Sequence, residues 1–378
     1  MKTYTEINEK IKNGTAVVLT AEEVSELSKT LSPKEIAEKV DVVTTGTFGA
    51  MCSSGAFLNF GHANPPIRME KIKLNGIRVC GGLAAVDTYV GATDSNPEIP
   101  VYGGGNIIED LVAGKEIELE AWGKGTDCYP RKHIKTRISL DTINEAYLYN
   151  PRNAYQNYNV ATNSTNQTKY TYMGTLLPKL RNASYSTSGE LSPLLNDPEC
   201  RTIGLGTRIF LCGAEGYVAW NGTQFNSTKP VNEFGIPTSN ARTLAVVGDL
   251  RKMSTAFLRG VYYEKYGNSL FVGIGIPIPV LDEDIARRVS IRNEQINATI
   301  IDYGDGNKVL GQTNYAALQS GEIEINGQKV KTTPVASIAK AREIADILKS
   351  WIQKGDFLIS EPVRPMPTGT TVKGLIER

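Results

Sequence analysis

The stretch from Val42 to Lys132 constrains the fold most strongly, because it carries three of the chain's five cysteines in loops of small residues. Cys52 and Cys128 each follow a predicted strand, and Cys80 follows a predicted hairpin. Open α/β sheets place their reactive groups where strands end in loops. We therefore predict a sheet with glycine-rich cysteine loops gathered at one rim.

The patterns in the whole chain predict an α/β fold, with mixed sheets, flanking helices and antiparallel hairpins. Asn75-Gly76 and Asn326-Gly327 each separate two short apolar runs, which is typical of two-residue hairpin turns. Thr20 and Ser32 are each followed by a glutamate three residues later, a pattern that starts helices. Further predicted elements are a helix begun by Asn106, helices over Arg251–Tyr266 and Ala336–Lys354, and a strand at Phe357–Ile359.

Composition divides the 378 residues into a cysteine-loop region (1–143), a region rich in Tyr and Asn (144–200) and a second α/β region (201–378). Between residues 144 and 187, seven tyrosines lie among Asn, Thr and Ser with poor periodicity. We interpret this stretch as an ordered surface excursion rather than a dedicated binding lid. The three parts are expected to form one compact catalytic unit.

Bulk properties exclude several function classes. The net charge is +1, so no overall field favours nucleic acid or a membrane surface as partner. No apolar run approaches the roughly 20 residues that span a bilayer, and residues 1–13 lack the apolar core of a signal peptide. We therefore expect a cytoplasmic protein. Its odd number of widely spaced cysteines predicts free thiols rather than a disulfide framework.

Positive charge near Cys128 distinguishes it from the other cysteines. Lys124, Arg131, Lys132 and His133 lie close to it in sequence. An electropositive and accessible position favours the thiolate, which is the nucleophilic form of cysteine. The sequence therefore predicts Cys128 as the reactive centre, with Cys52 as its partner.

The other two cysteines carry weaker signals. Cys212 follows the apolar run Ile209–Leu211, which indicates a packed core position. Cys200 lies in a predicted loop, and the sequence leaves its role open.

Candidates for acid or base catalysis are few, because the chain has only two histidines. His62 follows Cys52 by ten residues and is the better placed of the two, although a single histidine is more often a packed side chain. Asp127, beside Cys128, is a second candidate. No phosphate-binding or dinucleotide-binding glycine motif occurs, so no NAD(P) site is predicted.

The cysteine spacing leaves two forms of sulfur chemistry open. Cys52, Cys80 and Cys128 match no compact ferredoxin motif. If their loops converge, three thiolates would hold a [4Fe-4S] cluster with one open iron. The alternative is a persulfide on Cys128 or Cys52 that needs no metal. Cys80 is equally compatible with a packed core position.

Several stretches resemble the homocysteine-biosynthesis family. The longest are Gly46–Gly55, Asn106–Leu111 and Gly123–Pro130, and the resemblance continues through 204–211, 248–250 and 273–279. The resemblance implies L-aspartate semialdehyde sulfurtransferase activity of the kind found in methanogens and other anaerobes. It also implies that Cys52 and Cys128 are the important cysteines, with Cys128 the more critical of the two. Many members of that family carry C-terminal CBS modules, whereas this sequence ends at Arg378 without them.

The implied reaction converts L-aspartate semialdehyde, sulfide and two electrons into homocysteine and water. Sulfur carried by Cys128 or by a nearby iron would add to the aldehyde, with His62 or Asp127 as the acid. Arg131 or Lys132 would bind the substrate carboxylate. Because no nicotinamide site is predicted, the electrons are expected from a ferredoxin-like protein.

Two rival functions fit the same residues. A non-catalytic carrier of sulfur or of an iron-sulfur cluster would bind its cargo without turning over the aldehyde. A small-molecule binding protein would hold a ligand through the amides of its glycine-rich loops. The sequence is also compatible with a homo-oligomer.

Overall fold

The computed structural model describes residues 1–154 and 156–377. The helices in this part of the chain are α1 (Tyr4–Lys12), α2 (Ala21–Leu27), α3 (Pro33–Lys39), α4 (Gly104–Val112), α5 (Pro193–Asn196), α6 (Glu283–Val289), α7 (Tyr315–Gln319) and α8 (Ile338–Gln353). The strands of the first half are β1 (Val18–Thr20), β2 (Val42–Thr44), β3 (Thr47–Ala50), β4 (Gly55–Asn59), β5 (Lys71–Leu74), β6 (Ile77–Val79), β7 (Asp87–Gly91), β8 (Ile117–Trp122), β9 (His133–Ile138), β10 (Glu145–Asn153), β11 (Val160–Thr162), β12 (Lys169–Thr171), β13 (Gly174–Leu176) and β14 (Asn182–Tyr185). Those of the second half are β15 (Gly204–Leu205), β16 (Arg208–Leu211), β17 (Ala214–Asn221), β18 (Leu244–Asp249), β19 (Leu258–Tyr263), β20 (Gly267–Gly275), β21 (Pro277–Pro279), β22 (Asn297–Asp302), β23 (Lys308–Asn314), β24 (Glu322–Ile325), β25 (Gln328–Pro334) and β26 (Arg364–Pro365).

A nine-stranded antiparallel sheet forms the centre of the molecule. Its strands run in the order β19-β20-β16-β17-β18-β10-β4-β7, and β3 also pairs with β20. Along β10, Ala146 and Leu148 are buried whereas Tyr147 is exposed. This period-two alternation shows that one face of β10 is in the core and the other in solvent. Helices α4 and α8 pack against this sheet.

Smaller sheets surround the central one. A six-stranded mixed sheet, in the order β23-β22-β11-β14-β25-β24, has a core of its own that includes Val160, Tyr185 and Tyr315. A four-stranded antiparallel sheet has the order β6-β5-β8-β9, and a three-stranded sheet has the order β1-β2-β21. These arrangements confirm the predicted mixed α/β fold with antiparallel hairpins.

Helix α8 fixes the strand that leads into the first cysteine loop. Its residues Ala341, Ile344, Ala345, Leu348 and Ile352 form a buried stripe at helical spacing. The Thr44 hydroxyl donates a 2.9 Å hydrogen bond to the Ala345 carbonyl. A Cβ at Gly46 would lie 2.0 Å from the Ala341 carbonyl oxygen, so this contact requires glycine.

Local sequence signals account for the confirmed elements. Thr20 and Ser32 both form complete capping boxes at the starts of α2 and α3. Asn75 and Gly76 take φ values of 46° and 79°, and the Asn326-Gly327 hairpin behaves likewise with 52° and 77°. Positive φ at both central residues is the signature of the type I′ turn, which asparagine and glycine tolerate best.

Two predicted elements are wrong, and one predicted helix is confirmed but begins earlier than expected. Helix α4 begins at Gly104, and the Asn106 side chain accepts a hydrogen bond from the Gly103 amide instead of starting the helix. Much of the predicted helix over Arg251–Tyr266 is the edge strand β19, because pairing with β20 overrides a weak local helix preference. Phe357–Ile359 forms no strand, since its residues pack into the core as an extended segment without a partner strand.

The stretch 144–187 is not a surface excursion, and this expectation is also wrong. Strand β10 lies between β4 and β18, and β11 and β14 lie inside the six-stranded sheet. Its polar residues form buried hydrogen bonds: Asn157 donates to the carbonyls of Pro237 and Asn297, at 2.8 and 2.7 Å. The high Asn content therefore reflects buried backbone partners rather than exposure. Tyr155, one of the tyrosines in this stretch, lies outside the described residues.

Across residues 1–154 and 156–377, no helix combines the length and the apolar character that crossing a bilayer would require.

Candidate active site

A pocket of about 370 Å³ lies beside the first cysteine loop. This volume is within the range of small-molecule sites in proteins. The lining consists mainly of hydroxyl, amide and aromatic side chains, with one thiol and one guanidinium. The lining residues are Ala50, Met51, Cys52, Ser53, Arg152, Tyr158, Tyr172, Met173, Ser186, Gln224, Asn240, Tyr263, Tyr266, Ser269 and Val335.

Cys52 lies in a tight turn between β3 and β4. The Ser54 amide donates a 3.0 Å hydrogen bond to the Met51 carbonyl, and the Met51 amide donates to Leu270 at 2.8 Å. A side chain at Gly55 would collide with the Tyr89 ring, whose hydroxyl donates to the Ser53 carbonyl at 3.5 Å. The turn is thus held from both sides, and its thiol is accessible.

Tyrosines form a wall of the pocket around Cys52. Tyr266 lies close enough to Cys52 for the two side chains to interact electrostatically. Burial raises the pKa of Tyr266 to about 12, and the nearby Cys52 adds to this effect. Burial likewise raises the pKa of Tyr263 to about 12. Both hydroxyls therefore keep their protons at neutral pH and act as hydrogen-bond donors.

Arg152 is the one charged side chain among the described residues that line this pocket. It lies near the end of β10, where its amide donates a 3.0 Å hydrogen bond to the Asn150 side chain. Its positive charge acts on Tyr266 and lowers the tyrosine's pKa against the dominant effect of burial. Arg152, Tyr266 and Cys52 therefore lie in one neighbourhood.

Cys128 lies at the tip of the hairpin formed by β8 and β9. The hairpin continues beyond the strands through a 2.9 Å hydrogen bond from the Gly123 amide to the Lys132 carbonyl. Thr126 and Tyr129 then exchange backbone hydrogen bonds of 2.9 and 3.1 Å, which leaves Asp127 and Cys128 as the two tip residues. Both are exposed.

The structure brings His62 and the predicted cationic residues to the Cys128 loop. The His62 ring stacks on Tyr129 with 6.0 Å between ring centroids. The Arg131 guanidinium donates to the Asn64 carbonyl at 3.3 Å. The methylenes of Lys132 lie over Gly125, whose φ of 76° favours glycine. Neither Arg131 nor Lys132 lines the Cys52 pocket.

Cys52 and His62 lie beyond opposite ends of β4. The four residue steps from Gly55 to Asn59 separate those ends by roughly 13 Å, because a strand rises about 3.3 Å per residue. The Cys52 turn leads into the start of this strand, and the His62 loop that contacts Tyr129 follows its end. His62 thus lies beside the Cys128 loop and away from Cys52.

Cys80 lies at a third position, just after β6. Its backbone exchanges hydrogen bonds with Tyr89 at 3.2 and 3.4 Å, and its thiol is exposed. Within residues 1–154 and 156–377, no three His, Cys, Asp or Glu side chains are grouped so that they could hold a metal ion. The three thiols as placed therefore do not fit a shared iron-sulfur cluster.

Cys200 and Cys212 have structural roles. Both are buried, and burial raises the pKa of each thiol, to about 12 for Cys212. A thiol that holds its proton this firmly is a poor nucleophile. The prediction that Cys212 is a core residue is confirmed.

The fold and the pocket together define a class of protein: one that presents an accessible thiol to a small polar ligand. Residues 16–359 match the family described as "Homocysteine biosynthesis enzyme, sulfur-incorporation", and the chain belongs to that family. The resemblance predicted from the cysteine loops is thereby confirmed.

Two curated relatives extend this finding. A protein of Methanocaldococcus jannaschii named L-aspartate semialdehyde sulfurtransferase is 52% identical over 96% of this chain and 73% of its own length. A protein of the same name from Methanosarcina acetivorans is 47% identical over 99% of this chain and 74% of its own length. An uncharacterized protein of Methanothermobacter thermautotrophicus is 28% identical over 89% of this chain and 76% of its own length. Comparison with solved structures gives no match.

Sequence reasoning missed Arg152, Tyr263 and Tyr266. Arg152 lies in the stretch interpreted as a surface excursion, and the two tyrosines lie at the end of the wrongly predicted helix. The alternation of Val261 and Tyr263 about Tyr262 was an available signal for a strand. In a strand, the side chains of Tyr262 and Tyr263 lie on opposite faces.

Proposed function

We propose that this chain is an L-aspartate semialdehyde sulfurtransferase that forms homocysteine. Support comes from the two relatives of that name, which are 52% and 47% identical over nearly the whole chain. The observation that carries the proposal is the accessible Cys52 thiol in a pocket of about 370 Å³. Among the described residues that line it, one side chain is charged, and it is an arginine. Such a pocket suits a small aldehyde that bears a carboxylate.

The reaction balances with sulfur at the oxidation level of sulfide. Hydrogen sulfide adds to the aldehyde carbon, and the carbonyl oxygen takes a proton and becomes a hydroxyl. Loss of that hydroxyl as water leaves a carbon–sulfur double bond. Two electrons and two protons then reduce this bond to the thiol of homocysteine. In total, one aldehyde, one hydrogen sulfide, two electrons and two protons give one thiol and one water.

In this proposal the pocket side chains act on the aldehyde. Cys52 lies where the aldehyde carbon binds, and its sulfur accepts a proton from the hydrogen sulfide that adds to that carbon. The Tyr266 hydroxyl, which keeps its proton at neutral pH, donates a hydrogen bond to the oxygen that leaves as water.

The Cys128 tip has a different task in the proposal, which is to collect hydrogen sulfide from outside without forming a covalent bond to it. Arg131 and Lys132 attract the anionic sulfur donor, and His62 and Asp127 exchange protons with it. The cations thus serve the sulfur donor rather than the substrate carboxylate.

The electrons come from a ferredoxin-like protein in this proposal. Five free thiols among the described residues favour a reducing compartment, so the proposed site of action is the cytoplasm. A persulfide on either cysteine would raise the demand from two to four electrons per homocysteine, because its outer sulfur is more oxidised than sulfide by two electrons. Counting electrons in a single turnover of protein loaded with persulfide therefore distinguishes the two sulfur sources.

The proposal is tested with anaerobically purified protein, sulfide, L-aspartate semialdehyde and a low-potential reductant. We expect homocysteine in amounts that exceed the protein, and none when the reductant is replaced by NADPH alone. Protein that binds sulfur but forms no homocysteine would instead be a carrier. Multiple turnovers with NADPH alone would contradict the proposed electron source.

A further inference from the structure

We propose that Arg152 selects the substrate of the Cys52 pocket by binding its carboxylate. In L-aspartate semialdehyde two carbons separate the carboxylate carbon from the aldehyde carbon, so the guanidinium would then hold the aldehyde carbon against the Cys52 sulfur. The inference deepens the proposed function and rests on it for the identity of the substrate. The recognition of a carboxylate beside Cys52 is testable without turnover.

The charge balance of the pocket supports this role. Among the described lining residues there is no Asp or Glu, so the positive charge of Arg152 has no counter-ion in the wall. No described carboxylate lies within salt-bridge distance of its guanidinium. A half-buried cation without a partner attracts an anion, and a guanidinium matches a carboxylate with two parallel hydrogen bonds.

The backbone contacts place Arg152 directly against the Cys52 turn. The Ser53 hydroxyl donates a 3.5 Å hydrogen bond to the Arg152 carbonyl, and the Asn150 side chain accepts from the Arg152 amide at 3.0 Å. The residue that follows Cys52 in the chain is thus hydrogen-bonded to the backbone of Arg152. Because both side chains line one pocket, a ligand bound to the guanidinium would share that pocket with the thiol.

A second group in the wall fits the other charged end of such a substrate. The side-chain oxygen of Asn240 is buried and has no hydrogen-bond partner among the described residues. Asn240 lines the same pocket as Arg152 and Cys52. Burying a hydrogen-bond acceptor without a donor costs free energy. The ammonium of an α-amino acid would donate the missing hydrogen bond to Asn240.

The first experiment compares two thiol reagents of similar size at Cys52. Iodoacetate carries a carboxylate and iodoacetamide is neutral, so Arg152 should speed up only the first. In Arg152→Gln we expect the ratio of the two rates at Cys52, measured by peptide mass spectrometry, to fall about tenfold, as loss of a charge-assisted hydrogen bond predicts. Arg152→Lys should retain an intermediate ratio.

The matched control is Arg259→Gln. Arg259 is an exposed cation on β19, the strand that also carries Tyr263, and it lies outside the pocket lining. Its loss removes the same net charge and should leave the ratio at Cys52 unchanged. An unchanged ratio in Arg152→Gln, or an equal fall in Arg259→Gln, would overturn the inference.

Turnover provides the second experiment and separates this inference from the proposed function. Arg152→Gln should raise KM for L-aspartate semialdehyde by about 10- to 100-fold, and it should leave the rate with propanal, which has no carboxylate, unaffected. A wild-type protein that forms no homocysteine would refute the proposed function, while the alkylation ratio would still decide the role of Arg152. Equal losses with both aldehydes would contradict carboxylate selection.

Discussion

Cys52 and Cys128 occupy the same kind of local structure in two different settings. Each is a central residue of a four-residue turn, Met51–Ser54 in one case and Thr126–Tyr129 in the other. The first turn faces a pocket walled by Tyr263, Tyr266 and Arg152. The second is the tip of an exposed hairpin. In both cases the turn makes the thiol accessible. The residues around the turn then determine which molecules can reach the thiol.

This difference favours two separate tasks. A thiol in a pocket acts on a ligand whose orientation the walls have fixed, and such positioning is worth a large rate factor. A thiol at a hairpin tip can meet a macromolecule that would not enter the pocket. The His62 ring stacked on Tyr129 and the guanidinium of Arg131 accompany the tip thiol only.

The largest predicted effect is that of Cys52→Ala. We expect homocysteine formation to fall by on the order of 10³-fold or more, because no other thiol lines the pocket in the described residues. Raising the sulfide concentration should not restore it. The measurement is the homocysteine produced at low and at high sulfide. Recovery at high sulfide would show that the Cys52 thiol is not essential.

Cys128→Ala should lose less and be rescued differently. At low sulfide we expect a fall of about 10²-fold, since the tip no longer captures and delivers sulfur. High sulfide, which can diffuse into the pocket, should restore most of the rate. Equal and unrescued losses in both cysteine variants would show that the two thiols perform one task together.

Tyr266→Phe tests whether the pocket supplies a proton as well as a thiol. Removing the hydroxyl should lower kcat by roughly 10²-fold, the size typical of a lost general acid. Because burial raises the pKa of Tyr266 to about 12, wild-type activity should not decline through deprotonation of Tyr266 anywhere in the neutral range. A pH profile of kcat for both proteins checks this. Alkylation of Cys52 by iodoacetamide should remain, which separates loss of the acid from loss of the pocket.

The smallest predicted effect is that of a substitution at Asp41, a buried residue that lies outside both cysteine regions. The Asp41 carboxylate, whose side chain is 2% exposed, pairs with Lys2 and Lys10 at 2.9 and 2.8 Å beside β2. Burial alone would raise its pKa, but hydrogen bonds from Lys10, the Val17 amide and Lys2 hold the pKa below the usual value. A lowered pKa means that Asp41 stabilises the fold above the pKa of the unfolded chain, and that this is lost as pH falls through the folded value.

Asp41→Asn should therefore lower the free energy of unfolding at neutral pH by about 2 kcal/mol, the size typical of lost hydrogen bonds to a charged group, with a smaller deficit in acid. Denaturant unfolding at pH 7 and at pH 4 measures both values. The relative alkylation rates of Cys52 and Cys128 should stay as in the wild type. A change in that ratio would mean that the pocket and the tip depend differently on β2.

The sequence predicted those parts of the molecule that local chemistry determines. Asn75-Gly76 takes positive φ at both positions, Thr20 and Ser32 cap helices, and the α8 stripe is buried, all as their neighbours in sequence require. The mixed α/β class followed from these elements. The cysteine loops were also visible in the sequence, because glycine and serine cluster around the thiols.

The walls of the pocket were not predictable in the same way. Arg152 reaches Cys52 because β10 pairs with β4, a contact between segments about ninety residues apart. Tyr266 reaches it because β19 and β20 form a hairpin at the sheet edge, where the local pattern favours a helix. Pairing between distant segments is weakly encoded in any one of them. The separation of Cys52 from His62 likewise depends on β4 being an extended strand.

The contact between Gly46 and α8 has a consequence for how freely this chain can change. Since the Ala341 carbonyl oxygen occupies the place of any Cβ at position 46, saturation mutagenesis at that codon should return glycine alone among folded variants. At Gly49, three residues later, a Cβ would meet the Ala336 methyl at an ordinary 3.5 Å, and alanine should survive there. In the segment that leads into the Cys52 turn, Gly46 therefore tolerates no other residue, whereas Gly49 tolerates alanine.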